Sequence, residues 1–554
     1  METTTQTAKC KSRILPSATQ QTAIDSTQRT VEGKIEIMWD GISWTNESIY
    51  FLSAKGDWTM EGKLGEGLAS QADFELENTT GRFLPENTSS PIQSYLIPRK
   101  QIRFYVVIEE TEYLLFTGYI KAIEPSRKSG KVNLHCFDNA EKVLNVQCPR
   151  NALVDYYTHE IIQVLAEKAG ISDINMSLEN SQHMVRAAYF GDRNIWPVMG
   201  ELAVAERGRV FFDVDGTLRF WGRDHIQEQN RVTTLSMATH LLEMEFSVEE
   251  QHIKNRVTVK ARPRAAAGIQ PVWTNGNVEA LNQYTDQLVW IPANGTQYAY
   301  LEIEDSYGSL PCSDWIRPVA NTDYEANSSA DGTGTDYTGS LTINSFVTYA
   351  DACYIEVQNH TPVDVYLTKF QIRANPLKIW KWISVRQEDE WSVAEYGAQE
   401  IEIENDFIDD EQMANDIAET EVGRWKNAKD LFRAKILGVP YLQVGDIIGL
   451  EITSGTYEDY MIYSIGWTID TKGFTQTLEF VDKIDLPVTQ TVDCRADIKR
   501  EYSKNISCKA NLGTATKTLI TRARITEFTL YEKTATAKAN VSGHKTLTCK
   551  ANIT

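Results

Sequence analysis

Residues 210–220 read VFFDVDGTLRF, and two carboxylates one residue apart, Asp213 and Asp215, follow its apolar opening. Paired carboxylates are the residue types that nucleophilic and general acid–base steps draw on. The same letters also spell a tight β-hairpin, with Val-Phe-Phe rising, Asp-Gly turning and Leu-Arg-Phe returning. Catalytic pair and structural corner are both written in these eleven residues.

The run resembles the opening motif of the haloacid-dehalogenase-like phosphatases. That resemblance implies attack on phosphorus by Asp213, proton handling by Asp215 and a magnesium ion. Such a site also needs a parallel strand followed by a helix, a downstream Ser or Thr, a Lys, and a further acidic pair for the metal. Here a helical pattern precedes the motif, and LRFWGRDH alternates as a returning strand does. The nearest acidic candidate, Gly445-Asp446 in LQVGDIIGLE, lies between two strand-like runs, and no βαβ rhythm occurs. Asp213, Asp215 and Gly216 instead suit a turn, because Asp bonds its own turn amides and Gly supplies positive φ. Val210 and Phe212 then face one side and Phe211 the other. The expectation is a corner, no catalytic residue and no enzyme.

Other chemistry finds little support. The eight cysteines (positions 10, 136, 148, 312, 353, 494, 508 and 549) form no CxxC, and the eight histidines never stand at HxxxH spacing. No metal or cofactor site is therefore expected. Cys136 and Cys353, inside apolar segments, read as small core residues. A peptidoglycan-cleaving Cys–His pair or paired-Glu setting is not apparent.

A chain of 554 residues suggests three to five domains. No apolar run is long enough to span a bilayer, and METTTQTAKCKSR lacks a signal-peptide stretch, so retention in the cytosol is expected. The net charge of −21 argues against nucleic acid as a bound ligand, though not against DNA passing an acidic wall. From residue 491 onward the balance reverses, with 12 Lys and Arg against 5 Asp and Glu.

Polar residues 1–30 read as a flexible arm. From Val31 the texture is β: KIEIMW alternates, IRFYVVIEETEYLLFTGYIKAIEPS holds two or three runs, and KVNLHCFDNAEKVLN adds another, a barrel-sized set over 31–149. Residues 150–230 are an α/β segment. There LVDYYTHEIIQVLAEKAG predicts a helix over 153–169 with Gly170 at C′, and NIWPVMGELAVAERG predicts one ended by Gly208. Residues 265–375, rich in Asn, Thr, Gly and Tyr, read as an immunoglobulin-like β-sandwich without the paired cysteines. It interrupts a second barrel formed by 231–264 and 376–488, with a helix over 411–427. CRADI, CKANL, TRARI, AKANV and CKANI then recur every 12 to 16 residues in a basic β-repeat tail over 489–554. The fold class is mainly β with a smaller α+β part.

In order, FTGYIKAIEPS (116–126), LAVAERGRVFFDVDGTLRF (202–220), NRVTV (255–259) and LQVGDIIGLEI (442–452) resemble the tail hub proteins of phages, to which type VI secretion spikes are related. The resemblance covers roughly 31–264 and 376–485. It implies a homotrimeric tail-tip or baseplate hub, each chain giving two hub-type β-barrels, so that six barrel units match a sixfold tube to a threefold tip around a DNA channel. The helices at 153–169 and 411–427 would brace the barrels from outside, and Gly118, Asp213, Asp215, Gly216, Gly445 and Asp446 would shape structural turns. Partners implied are the distal tail protein, tail tube, tape measure and tip or fibre proteins. The location implied is the virion tail tip, after synthesis in the bacterial host cytoplasm. The sandwich admits a second role, a receptor-binding adhesin that holds host glycans on aromatics such as Trp273, Trp290 and Tyr300, although filling the sandwich core explains those aromatics too.

Overall fold

Strand periodicity sets most of the architecture. The computed structural model describes residues 15–59, 70–223, 225, 230–247, 253–275, 290–426 and 431–482, with the backbone of five strands beyond 489. Contacts divide the chain into a body, Met1–Lys483, and a C-terminal unit, Ile484–Thr554.

The body begins with helix α1 (Ala18–Asp25), then β1 (Val31–Met38), β2 (Thr45–Asn46), β3 (Phe51–Thr59), β4 (Gln71–Glu77), β5 (Gln101–Ile108), β6 (Thr111–Ser126) and β7 (Lys131–Phe137). Alternate residues of β4, β5 and β7 are buried, among them Phe74, Phe104 and Leu134, as a half-wet sheet requires. Residues 15–30 are not the loose arm expected. Ser17 and Gln20 form a capping box for α1, Ile24 is buried, and Arg29 donates to the Gly438 carbonyl at 2.8 Å. Residues 1–14 of that arm lie outside the described residues.

An α/β segment follows: α2 (Ala140–Leu144), β8 (Leu153–Tyr157), α3 (Thr158–Lys168), β9 (Met176–Leu178), β10 (Met184–Ala188), α4 (Ile195–Glu206), β11 (Arg209–Phe212) and β12 (Leu218–Trp221). The helix expected from 153 starts only at 158. Residues 153–157 pair with β10 instead, and Glu160 fixes the helix start by accepting from the Tyr157 amide at 2.8 Å. Gly170 does take the left-handed C′ position, and the Ile171 and Gly170 amides close on Ala166 and Glu167 as a Schellman motif. At the end of α4 the left-handed residue is Arg207, φ 57°, rather than Gly208. Gly208 serves close approach, since a Cβ there would lie 2.4 Å from the Trp221 carbonyl.

Beyond these come β13 (Arg231–Leu235), β14 (Leu241–Ser247) and β15 (Arg256–Ala261), then the sandwich strands β16 (Arg264–Ala266), β17 (Gln270–Thr274), β18 (Trp290–Ile291), β19 (Thr296–Glu302), β20 (Glu304–Asp305), β21 (Gly308–Ser309), β22 (Cys312–Ile316), β23 (Tyr324–Asn327), β24 (Leu341–Thr348), β25 (Ala352–Asn359) and β26 (Val365–Ile379). The chain returns through β27 (Ile383–Glu388), α5 (Glu390–Tyr396), β28 (Glu400–Glu404), α6 (Glu411–Trp425), β29 (Leu431–Leu437), β30 (Ile447–Thr453), β31 (Thr456–Asp470) and β32 (Gly473–Asp482).

The two blocks expected as separate barrels join one 13-stranded sheet in the order β14-β29-β32-β31-β3-β4-β7-β6-β5-β1-β2, with β30 and β13 branching from β31. The join is antiparallel pairing of β3 with β31, which sets Gly56 opposite Trp467. Both blocks share one hydrophobic core. At the join Trp467 stacks on Phe104 (centroids 5.7 Å apart, planes 11° off) and touches Phe74 and Trp58. Gly56 makes the room, because a Cβ there would lie 2.4 Å from the indole.

The second-barrel boundaries also shift. Strand β15 pairs with β27 and β28 in a separate three-stranded sheet, and α6 packs on β15 and β27. These elements share their core with α3, α4 and the β11–β12 hairpin. Residues 256–261 and 383–425 therefore belong with the α/β segment. Helices α3 and α6 fill that second core rather than brace the barrel strands, because their apolar faces (Ile161, Leu165; Ala414, Ile417, Ala418) point into it.

Residues 264–379 form two packed sheets. Long β26 carries β16, β17, β18, β22 and β23, a second sheet runs β19-β25-β24, and residues from both close a core around Ile355, Val357, Leu367 and Phe370. Cys136 and Cys353 are buried, and among the described residues neither forms a disulfide.

In the C-terminal unit β33 (Gln490–Asp497), β35 (Lys517–Arg524) and β37 (Leu547–Cys549) pair in parallel, as do β34 (Asn505–Asn511) and β36 (Thr534–Asn540). Gln490 sits opposite Lys517, Asn505 opposite Thr534 and Leu519 opposite Leu547, offsets of 27, 29 and 28 residues. The pairing register thus advances by two sequence repeats, which sets Ala510-Asn511 opposite Ala539-Asn540. The side chains of the repeats, including Cys494, Cys508 and Cys549, lie outside the described residues.

Truncating the seam indole tests this packing. Trp467→Ala is expected to lower the stability of the body by about 3–5 kcal/mol, since it empties a fully buried aromatic site. Trp467→Phe should cost less than half as much, because among the described residues the buried indole Nε1 has no hydrogen-bond partner to lose. Urea unfolding followed by tryptophan-independent circular dichroism measures both.

Candidate functional site

The carboxylate pair sits on an antiparallel hairpin. Arg209, Val210, Phe211 and Phe212 of β11 face Trp221, Phe220, Arg219 and Leu218 of β12. The Gly216 amide donates to the Asp213 carbonyl at 2.8 Å and the Asp213 amide to the Thr217 carbonyl at 2.9 Å. Gly216 has φ +79°, so this is a type I turn closed by a left-handed glycine. Val210 and Phe212 are buried on one side, while Phe211 lies edge-on to Trp221 on the other, as the alternation dictates.

Both carboxylates are engaged by the turn and its neighbours. Asp213 Oδ1 accepts from the Val214 amide (2.7 Å) and from Gln443 Nε2 (3.0 Å), and Oδ2 is paired with the Arg219 guanidinium. Asp215 Oδ1 accepts from the Thr217 amide at 2.9 Å. Asn139 Nδ2 donates to the Gly216 carbonyl at 2.7 Å, holding the corner against the end of β7. A nucleophile needs a free oxygen aimed at substrate and a base within reach. Here Arg219 neutralises Asp213, and among the described residues no group of three or more His, Cys, Asp and Glu is placed to hold a metal. The arrangement holds a chain reversal and a contact between segments.

The second turn meets the first. Gly445, φ +95°, donates to the Ile462 carbonyl at 2.8 Å, and buried Asp446 accepts from the Gln443 amide at 2.6 Å through its carboxylate. That bond fixes the loop from which Gln443 reaches Asp213, while the Arg209 guanidinium donates to the Val444 carbonyl. Gly118 is a correction. It lies inside β6 opposite Ile102, not in a turn, and its lack of a side chain admits the Phe137 carbonyl, 2.1 Å from where a Cβ would stand.

Behind the hairpin is a cavity of about 50 Å³ lined by Trp58, Phe116, Asp138, Arg209, Asp213 and Val444. The carboxylate of Asp138 accepts from the Ser70 and Ala140 amides, both at 2.9 Å. Burial nevertheless pushes its pKa up to about 7, because two amide donors offset only part of the desolvation of a buried charge. Asn139, Gln443, Arg209, Arg219 and Asp138 have no sequence signal as a set, since up to 305 positions separate them and only the fold assembles them.

The sandwich aromatics divide. Trp273 packs edge-on to core residue Phe370, whereas Trp290 is 41% exposed and Tyr300 lies on the outer side of β19.

No family model matches the chain, and no curated protein sequence matches it. Among solved structures it is similar to the 43 kDa tail protein of prophage MuSo2 from Shewanella oneidensis, at 10% identity over 82% of this chain and 99% of that one, TM-score 0.44. It is similar to a tail protein from Neisseria meningitidis at 10% identity, 82% and 96% coverage and TM-score 0.45. It is also similar to a type VI secretion component from E. coli at 7% identity, 83% and 76% coverage and TM-score 0.35.

Two outcomes check the corner. Gly216→Val should destabilise the body by about 2 kcal/mol, because a β-branched residue resists positive φ and its Cβ meets the Asn139 amide at 2.7 Å. An unchanged melting temperature would remove the turn assignment. For Asp138 the folded pKa stands above the unfolded value, so its unfolded state releases the proton first and stability falls as pH rises from about 4 to 7. Denaturation at pH 4.5 and pH 8 should show the chain losing stability relative to Asp138→Asn; equal pH dependence would contradict the raised pKa.

Proposed function

We propose that the chain is a structural protein of a virion tail: a homotrimeric tail-tip or baseplate hub that joins a sixfold tube to a threefold tip and lines the channel through which DNA leaves. The observation that carries this reading is the β3–β31 join, by which two strand blocks distant in sequence become one rigid body. Two blocks per chain supply six quasi-equivalent units in a closed threefold ring.

Unfinished surfaces support assembly. The sheet path ends on β2 and β14, each paired on one side only among the described residues. Large apolar residues sit exposed beside those ends, Ile42 at 85%, Ile49 at 83% and Leu242 at 52%. An open strand edge with apolar neighbours is a template for another chain. The net charge of −21 suits a wall past which DNA slides without being held. The distal tail protein, tail tube, tape measure and tip or fibre proteins are the neighbours in this reading, and the location is the tail tip. Asp213 and Asp215 act as corner residues and the chain is not an enzyme.

Size-exclusion chromatography with light scattering at micromolar concentration should give three times the 62.7 kDa chain mass. Leu242→Lys should shift that species toward monomer without lowering the melting temperature. A wild-type chain that stays monomeric contradicts the hub.

A further inference from the structure

The tyrosines of the β19–β25–β24 sheet stand on its outer face. Ala299, Leu301, Cys353, Ile355 and Val357 point inward and close the sandwich core, so the residues between them face away. Tyr298, 60% exposed, packs beside Tyr354 at 6.4 Å between ring centroids. Tyr300 lies opposite Tyr354 in register and beside Tyr349 at 6.1 Å. The group thus has rings at two successive outward positions of β19, at Tyr354 of β25 and at Tyr349 just before β25, with Glu302, Glu356 and Gln358 beside them.

The group runs into a cavity of about 220 Å³ at the seam between the sandwich and the α/β segment, lined in part by Tyr300, Glu302, Glu304, Asp351, Tyr189 and Arg150. Tyr189 Oη (2.8 Å) and Ser309 Oγ (3.1 Å) both donate to Asp351 Oδ2 and orient it. No hydrogen bond or ion pair links Glu302 or Glu304 to another described side chain. The guanidinium of Arg150 is held by Asp192 at 2.8 Å.

We infer that this face and its cavity bind a neutral or amino-bearing oligosaccharide. Tyrosine presents a rigid apolar face with a polar tip, which suits stacking under a sugar ring whose edge is hydroxylated. Carboxylates accept hydrogen bonds from those hydroxyls or from an ammonium group. Polyanions are disfavoured, because Asp192, Glu302, Glu304 and Asp351 outnumber the single guanidinium. A protein partner fits less well: the carboxylates of Glu302 and Glu356 flank the rings, and a protein interface needs a continuous desolvated centre depleted of charge. The inference does not depend on the chain being a hub.

The test is a glycan array of neutral, amino and uronic-acid oligosaccharides probed with the full chain, followed by titration of the tightest binder against variants. Binding to neutral or amino oligosaccharides is expected, with at least a tenfold loss in Tyr298→Ala and in Tyr300→Ala. Both residues lie outside the core, so their melting temperatures should stay at the wild-type value, and a variant that unfolds is replaced by Tyr298→Ser or Glu302→Gln read in the same titration. No bound oligosaccharide, a preference for uronic acids, affinity unchanged by the substitutions, or loss of a protein contact instead of sugar binding would each overturn the proposal.

Discussion

The body depends on one close approach, a tryptophan of β31 lying flat on Phe104 where β3 has no side chain. Gly56 and Trp467 are neighbours only because residues some four hundred positions apart pair in register. The entropy of closing so long a loop grows only with the logarithm of its length, so a well-packed aromatic cluster can hold it. Phe74, Phe104, Trp58 and Trp467 form that cluster. The α/β segment, the sandwich and the second core all lie in sequence between the two strands it joins, and so all are insertions into one sheet.

The corner turns the join into a fixed geometry. Asp213 takes bonds from Arg219 in its own hairpin and from Gln443 in the opposite loop, and Arg209 reaches the Val444 carbonyl. A motif whose letters suggest phosphoryl transfer here holds two loops together. Asp213 is held by Arg219, Gln443 and the Val214 amide, and Asp215 accepts from the Thr217 amide of the same turn.

Local elements were legible where a single period dominates. Ile35, Ile37 and Trp39 fall on the buried face that alternation assigns them, and Gly216 and Gly445 have positive φ. A change of composition marks off residues 265–375 in the sequence, but composition does not specify which strands pair. Long-range pairing was not legible, since nothing in either segment's own pattern marks β31 as the neighbour of β3, and two barrels were the simpler reading. The apolar spacing predicts a helix five residues longer than α3, because Leu153 and Tyr157 fit a helical face equally well, and pairing with β10 takes those residues instead. Gly118 resembled a turn glycine, yet it is needed only because the Phe137 carbonyl passes so close. Of the site, the two aspartates and the glycines were visible in advance. Asn139, Gln443 and Arg209 were not, because each acts only through a neighbour the fold supplies.

Hydrogen exchange across the seam tests the account most directly. If β3 and β31 belong to one cooperative body, amides of residues 56–58 and 465–467 should exchange together, in the slowest class and only through global unfolding. Exchange of 56–58 a hundredfold faster than 465–467 would mean two independent barrels and would contradict the single-sheet body.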